Sequence, residues 1–227
     1  QAYFDGTNIM FRIRLGASST ASKGYSVLID ADGRFGNLVA GGSPETTPNP
    51  GFEFEIALES NFDVAVFDHR NNPNGGPKIW SRAVDQYSQR AVAATTNGGN
   101  ADYFYDFYVP LSALPGVTAD TPLRMSGVTT TSAQSGITGT VSDVGGVNFQ
   151  SYGYSKQRAW AALMGVFPAT SLNTIRTSGF PLIAATPPVV SGPILANSTT
   201  ISGTSIEAAG SVVTVFRNGT AICGGTG

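Results

Sequence analysis

The stretch FEFEIALESNFDVAVF, residues 52–67, decides the fold class of this chain. Its first half alternates without a break, with Phe52, Phe54, Ile56 and Leu58 facing a core and Glu53, Glu55 and Ala57 facing solvent. Alternation with a period of two is typical of a β-strand with one buried face. The second half, residues 62–67, continues the pattern after a polar turn at 59–61. The stretch therefore predicts a β-hairpin.

The same signals recur on both sides of this hairpin. Strand patterns cover IMFRIRL at 9–15, GYSVLID at 24–30, KIWSRAV at 78–84, YSQRAVAATT at 87–96 and LRMSGVTT at 123–130. The run YFYDFYV at 103–109 is aromatic on both sides, which predicts a central strand covered on both faces. About seven or eight strands with closely spaced turns predict an all-β fold, an antiparallel β-sandwich, rather than alternating βαβ units.

Helical signals are short. One turn is predicted within VPLSALPG at 109–116, and another within SDVGGVN at 142–148. Residues 145–185 have no clear period and are interpreted as irregular packing over the sandwich. A short helix at KQRAWAALMG, residues 156–165, is the alternative for part of this segment, with Trp160, Leu163 and Met164 on one face.

A change in composition at AATPPVVSGP, residues 184–193, predicts a domain boundary, because Pro187 and Pro188 stiffen the chain and end any regular element. We therefore expect a β-sandwich domain at 1–185, a Pro-rich linker at 186–193 and a second, partial domain at 194–227. In the second domain, SVVTVFRNGT at 211–220 reads as a strand entering an Asn-Gly turn, and residues 221–223 begin the return strand.

The composition limits the classes of function. Charged residues make up 12% of the 227 residues, and the net charge is −2. Such a chain has no electrostatic reason to bind nucleic acid, and no apolar run reaches the roughly 20 residues of a membrane span. The single Cys223 cannot form an intrachain disulfide. Low charge with abundant Ser, Thr, Asn and Gly fits an extracellular or cell-surface protein of a bacterium.

The run DADGRFGN, residues 30–37, is the candidate metal site. Ca²⁺ takes six to eight oxygen ligands, and an Asp-x-Asp-Gly turn places two carboxylates together. The tentative calcium ligands are Asp30, Asp32, Asn37 and Glu53. Glu55 shares the predicted face of Glu53, but Gly41 stands where an EF-hand loop carries its last Glu. The alternative is a plain hairpin turn whose carboxylates cap backbone N–H groups.

Aromatic residues are the candidate ligand-binding groups. Trp80 and Tyr87 lie near the polar loop at 68–78 and are the tentative ligand-binding residues, because aromatic faces stack on sugars. The aromatic residues of 103–109 are a second possible sugar platform, but on a central strand half of them must belong to the core, and Trp160 fits a core position equally well.

Catalysis has little support in the sequence. The pairs Glu53/Glu55 and Asp63/Asp68 are expected to be solvated carboxylates, and His69 to be a loop residue. The motifs G-x-S-x-G, HExxH and the P-loop do not occur. We therefore expect that the protein is not an enzyme.

Two blocks resemble known families. The segment ISGTSIEAAGSVVTVFRNGT at 201–220 resembles the first half of bacterial immunoglobulin-like repeats, which implies a partial Ig-like sandwich. Such a module needs about 80–100 residues. The resemblance thus implies strand edges that pair with further sequence or with neighbouring chains.

The front of the chain resembles the N-terminal region of large exported proteins of Bacteroidota-type bacteria, often type IX secretion substrates. The blocks are YFDGTNIMFRIRL at 3–15, YSVLIDADGRFGN at 25–37, NPGFEFEIAL at 49–58, YFYDFYVPLSAL at 103–114 and VSDVGG at 141–146. The region looks like a family 9 carbohydrate-binding or DOMON-like β-sandwich, which implies a jelly-roll-like fold.

These observations predict a non-enzymatic, adhesin-like extracellular protein with a structural or surface-assembly role. The alternative is a carbohydrate-binding module for neutral glycans. Calcium is the one expected cofactor. The expected partners are neighbouring chains, secretion or cell-surface components and glycans, without nucleic acid or a membrane span.

Overall fold

The computed structural model describes residues 1–18, 23–35, 47–60, 62–70, 72–145, 147–177, 189–190, 202–204, 212–217 and 220–226. The chain divides into two compact units, Gln1–Phe180 and Pro181–Gly227. Of the predicted linker at 186–193, only residues 189–190 are described.

The first unit is an antiparallel β-sandwich, as the alternation predicts. One sheet has four strands in the order β1-β2-β8-β7. Its strands are β1 (Ala2–Phe4), β2 (Asn8–Leu15), β7 (Ser88–Asn97) and β8 (Asn100–Pro110). The hairpin of β7 and β8 turns at Gly98 and Gly99, which both have positive φ.

The second sheet has six strands in the order β10-β9-β3-β4-β5-β6. Its strands are β3 (Gly24–Asp30), β4 (Phe54–Glu59), β5 (Asp63–Asp68), β6 (Lys78–Ala83), β9 (Arg124–Thr130) and β10 (Val141–Val144). The predicted hairpin is β4–β5, paired from Phe54↔Asp68 to Glu59↔Asp63. A four-residue helix, α1 (Val84–Tyr87), connects β6 of this sheet to β7 of the other sheet.

The main core lies between the two sheets. Ile9 on β2 and Val109 on β8 are paired in register, and both are fully buried. Ile56 on β4 and Val66 on β5 form a matching fully buried pair in the six-stranded sheet. Paired residues of neighbouring strands point to the same face. The apolar positions of each strand therefore meet in one layer, as the sequence pattern requires.

A second core covers the other face of the six-stranded sheet. It is built by α2 (Lys156–Met164) and the 3-10 turn Phe149–Tyr152 against Leu28, Phe52 and Val128. The helix begins at Ser155, whose Oγ accepts the Arg158 N–H at 3.3 Å. Its buried face includes Trp160, Leu163 and Met164, so the segment is a helical cover and not irregular packing.

This cover explains why one expectation about β4 is wrong. Glu53 is 7% exposed, and Glu55 is fully buried. Both residues were expected to face solvent because they alternate with the core residues. The six-stranded sheet is instead covered on both faces, so the polar positions of the strand are buried as well as the apolar ones.

Two further expectations need correction. The strand at 103–109 is central in its sheet, but its fully buried residues, Phe107 and Val109, lie on one face only, and Phe104, Asp106 and Tyr108 on the other face are half-buried. The turn predicted within 142–148 is wrong, because residues 141–144 form β10. The helical turn predicted within 109–116 is confirmed as the 3-10 turn Leu111–Ala113. The last helix, α3 (Leu172–Thr177), packs against β1.

The second unit consists of two short antiparallel pairs in its described residues. One pairs β11 (Val189–Val190) with β12 (Gly203–Thr204), and the other pairs β13 (Val212–Arg217) with β14 (Thr220–Thr226). The second pair is the predicted hairpin, with Cys223 opposite Val215. Among the described residues, no helix has both the length and the apolar character needed to cross a bilayer.

Candidate functional site

Strand register brings the predicted metal ligands together. The β3–β4 pairing reaches Ile29↔Phe54, and the Glu53 N–H donates to the Ile29 carbonyl at 2.9 Å. The next position in this register places Glu53 opposite Asp30, the last residue of β3. On its other side, Asp30 is paired with Arg124 of β9. Three neighbouring strands thus place two carboxylates and a guanidinium in one row, with Asp32 in the turn beyond Asp30.

The three carboxylates form a compact group. Asp30, Asp32 and Glu53 each offer one ligand atom, and these atoms all lie within 4.8 Å of one another. Backbone N–H groups hold each side chain. Ala31 donates to Glu53 Oε2 at 2.7 Å, Gly33 to Asp30 Oδ1 at 2.8 Å and Arg34 to Asp32 Oδ1 at 2.8 Å. The turn therefore has the capped backbone N–H groups expected of a plain hairpin turn, and it also has the clustered carboxylate oxygens expected of a metal site.

Burial disfavours the ionised form of two carboxylates of this group. Burial raises the pKa of Glu53 to about 7, partly offset by the Ala31 N–H and reinforced by Asp32 and Asp30. Burial also raises the pKa of Asp30, against the lowering effect of the Gly33 N–H and of Arg124. The Asp30 side chain is fully buried, and its Oδ2 has no hydrogen-bond partner among the residues that the structure describes, while Arg124 Nη1 lies 4.0 Å away. A buried carboxylate oxygen without a donor is costly.

Of the four tentative ligands, the structure brings three together. Asn37 lies outside the described residues. Glu55, which the sequence places on the same face as Glu53, is engaged in a different polar network.

That network joins Glu55 to His69, and sequence analysis missed it. His69 Nε2 lies 3.0 Å from Glu55 Oε2, and both side chains are fully buried. Ser135 Oγ donates to the same oxygen at 2.5 Å, and the Gly136 N–H donates to Oε1 at 2.6 Å. The available signal was an acidic residue inside an apolar strand and one His in the chain, each of which needs a partner when buried.

The geometry fixes the tautomer of His69. The Gly76 N–H donates to Nδ1 at 2.7 Å, so Nδ1 carries no proton. The ring proton is therefore on Nε2 and is donated to Glu55. Burial on its own raises the pKa of Glu55, but the bonds from His69 and Ser135 outweigh it and lower the pKa. The expectation that His69 is an ordinary loop residue is wrong.

These three side chains do not form a catalytic triad. A triad needs a Ser–His bond with the His oriented by the acid. Here Ser135 and His69 both donate to Glu55. The side chains of His69 and Glu55 have no exposed surface. Lys156 of α2 completes the network, because its Nζ donates to the carbonyls of Gly136, Ile137 and Gly139 at 3.0, 2.6 and 2.9 Å. The network therefore binds the 135–139 loop to β4 on one side and to α2 on the other.

The tentative ligand-binding residues also meet each other. Trp80 and Tyr87 have ring centroids 5.1 Å apart at 79°, and both are half-buried against the main core. Tyr87 also contacts Tyr108, with centroids 4.7 Å apart. The loop at 68–78 enters β6 at Lys78, whereas Tyr87 follows the other end of β6. Tyr87 therefore adjoins β8 rather than that loop.

Tyr108 connects this aromatic row to the outward face of the four-stranded sheet, defined by Met10, Arg12, Asp106, Tyr108 and Gln89. Met10 pairs with Tyr108, and Arg12 pairs with Asp106. Arg12 Nε and Nη2 donate to Asp106 at 2.7 and 2.6 Å. Gln89 on β7 donates to Asp106 Oδ2 at 3.3 Å. The face thus combines planar polar groups, charge neutrality and aromatic rings.

Comparison of the chain with protein-family models, with curated proteins and with solved structures found no match. The family resemblances of the sequence therefore remain predictions.

Proposed function

We propose that this chain is a non-enzymatic, adhesin-like part of an extracellular bacterial surface protein, with a structural or assembly role. The observation that carries the proposal is the position of the Glu55–His69–Ser135 network. These groups have acid–base chemistry, but they are buried and bonded to one another. They hold the 135–139 loop on the sandwich instead of facing a substrate.

The second unit supports the same role. A hairpin such as β13–β14 is marginal by itself and gains stability from more strands. Unpaired strand edges are templates for pairing with another chain. We expect an edge of the β13–β14 hairpin to pair with a strand of a neighbouring chain in a surface assembly.

Protease shaving of intact cells that produce the protein tests its location. An antibody raised against residues 1–177 should label intact cells or the culture fluid, and trypsin added outside should remove the cell-bound signal. A cytoplasmic protein serves as the control for lysis. A signal that trypsin reaches only after lysis would overturn the surface role.

Neutral glycan binding is the second candidate, and one observation favours it. The ring row Trp80–Tyr87–Tyr108 leads onto the outward face, where Arg12 and Asp106 neutralise each other. Aromatic rings offer stacking surfaces, and a bidentate Arg–Asp pair offers fixed donors and acceptors for hydroxyl groups. A face without net charge suits a neutral polyhydroxylated ligand better than an anion.

Affinity electrophoresis with neutral polysaccharides tests this candidate. Tyr108→Ala should weaken retention at least about fivefold, since one aromatic contact contributes about 1 kcal/mol. Tyr154→Ala is the matched control, because Tyr154 is an aromatic side chain that is 66% exposed elsewhere on the unit. Equal retention of both variants, or no retention of the wild type on any polysaccharide, would contradict glycan binding at this face.

A further inference from the structure

We propose that Asp30, Asp32 and Glu53 bind a calcium ion that fastens the end of β3 to the start of β4. The site is independent of the surface role and of the outward face discussed above. It rests on the three clustered carboxylates and on a separate observation, the fully buried Asp30 Oδ2, which has no hydrogen-bond partner within the described parts of the chain.

The charge of the group matches a divalent cation. Among the described residues, the one ion pair that these three carboxylates make joins Asp30 to Arg124 at 4.0 Å. Arg70 also acts on Glu53 electrostatically, but its guanidinium is paired with Asp68. With all groups ionised, two negative charges remain uncompensated. Arg124 is held elsewhere as well, because its Nη1 donates to the Met164 carbonyl at 3.4 Å. A bound divalent cation would supply the missing charge and a partner for Asp30 Oδ2.

The size of the group fits calcium. Ca²⁺ binds oxygen at 2.3–2.6 Å, so two of its ligands lie at most about 5 Å apart. The ligand atoms of Asp30, Asp32 and Glu53 meet that limit, since all lie within 4.8 Å of one another. The backbone N–H groups of Ala31, Gly33 and Arg34 already hold one oxygen of each carboxylate, so little ordering is needed on binding.

Two of the three carboxylates border a cleft that opens to solvent, and Glu53 does not line it. Asp30 and Asp32 line a cleft of about 110 Å³ together with Arg124 and Pro122. One water occupies about 30 Å³ of liquid volume, so the cleft has room for a cation with some of its waters. Ca²⁺ needs such additional oxygen ligands, because three carboxylates alone do not complete a shell of six to eight.

Calorimetric titration and thermal melting of the full chain test the proposal. After treatment with EDTA and its removal, CaCl₂ should bind with a dissociation constant on the order of 10⁻⁴ to 10⁻³ M and raise Tm. Asp32→Asn and Glu53→Gln should each weaken binding at least about tenfold, because even outer-shell partners of metal sites contribute that much. Both substitutions keep an oxygen that accepts the same backbone N–H.

Asp85→Asn is the matched control. Asp85 is an exposed carboxylate on α1, outside the cluster, so its loss removes one charge and should leave calcium affinity unchanged. Far-UV circular dichroism in EDTA checks that each variant is folded. If the Glu53→Gln variant does not fold, the Asp32→Asn variant still tests the site. No heat and no change in Tm with CaCl₂ would overturn the proposal. Equal binding of MgCl₂, or wild-type affinity in both cluster variants, would do so as well.

Discussion

Nε2 of His69 lies 3.0 Å from Oε2 of Glu55 in the interior of the sandwich, and neither side chain has exposed surface. Because Nδ1 of the same ring accepts the Gly76 N–H, one imidazole connects the far end of its own loop, between β5 and β6, to Glu55 of β4. Glu55 satisfies three donors at once: His69, Ser135 and Gly136.

Glu55→Ala tests the structural weight of this pair. The substitution leaves three buried donors without an acceptor, which should lower the free energy of unfolding by about 3–5 kcal/mol. Urea denaturation measures the change. Asp85→Ala, at an exposed carboxylate, should stay within about 0.5 kcal/mol of the wild type. A similarly small effect at Glu55 would contradict the proposed role of the network.

Gly76→Ala tests the loop on the other side of His69. A Cβ at Gly76 would lie 1.6 Å from the Asp68 carbonyl oxygen, so the backbone must move and the bond to His69 Nδ1 is lost. We expect destabilisation of more than about 3 kcal/mol in urea denaturation.

Gly127 on β9 provides the comparison. A Cβ there has no neighbour within 4 Å. Since Gly in a strand costs about 0.5–1 kcal/mol relative to Ala, Gly127→Ala should be neutral or slightly stabilising. Equal destabilisation by the two substitutions would show that the close approach at Gly76 is not what makes glycine necessary.

Trp160 of α2 is a core residue whose polar atom is unused. The ring is fully buried and meets Phe52 edge-on with centroids 5.5 Å apart, and its Nε1 has no hydrogen-bond partner in the part of the chain that the structure describes. Trp160→Ala should therefore cost about 3–5 kcal/mol, whereas Trp160→Phe should cost far less, about 1 kcal/mol, because no hydrogen bond is lost. Urea denaturation followed by circular dichroism distinguishes the two. Similar costs would indicate that the indole N–H has a partner after all.

The sequence predicts the strands well because their information is local. The alternation at 52–67 is enough for β4 and β5, and the aromatic run at 103–109 for β8. Prediction from the sequence fails where the burial of a residue depends on segments far away in the chain. Glu55 alternates like a solvent-facing residue, and it is a core residue because the 135–139 loop, which Lys156 of α2 holds in place, covers it.

The candidate sites divide in the same way. Asp30 and Asp32 are two residues apart, so their proximity can be predicted from the DADG turn. Glu53 joins them through the register of β3 and β4, which the hairpin pattern at 52–67 does not contain. The pairing of Glu55 with His69 and Ser135 spans 80 residues of sequence between Glu55 and Ser135, and no local pattern reports it.

The Glu59–Lys78–Asp63 cluster at the β4–β5 turn predicts a pH dependence of stability. Lys78 Nζ contacts Glu59 and lies 3.2 Å from Asp63 Oδ2. Burial and a hydrogen bond with Asp63 raise the pKa of Glu59 to about 7, although Lys78 opposes the change. The folded protein therefore keeps the Glu59 proton up to about pH 7, whereas the unfolded chain releases it near its ordinary pKa of 4.5.

Unfolding thus releases a proton between about pH 4.5 and pH 7, and the free energy of unfolding falls as the pH rises through this range. One proton corresponds to a slope of at most about 1.4 kcal/mol per pH unit. Glu59→Gln, which is neutral at every pH, should remove this contribution and flatten the curve measured by urea denaturation in EDTA. Glu53 acts in the same direction, so the comparison between wild type and variant isolates Glu59. Parallel curves for the two proteins would contradict the raised pKa of Glu59.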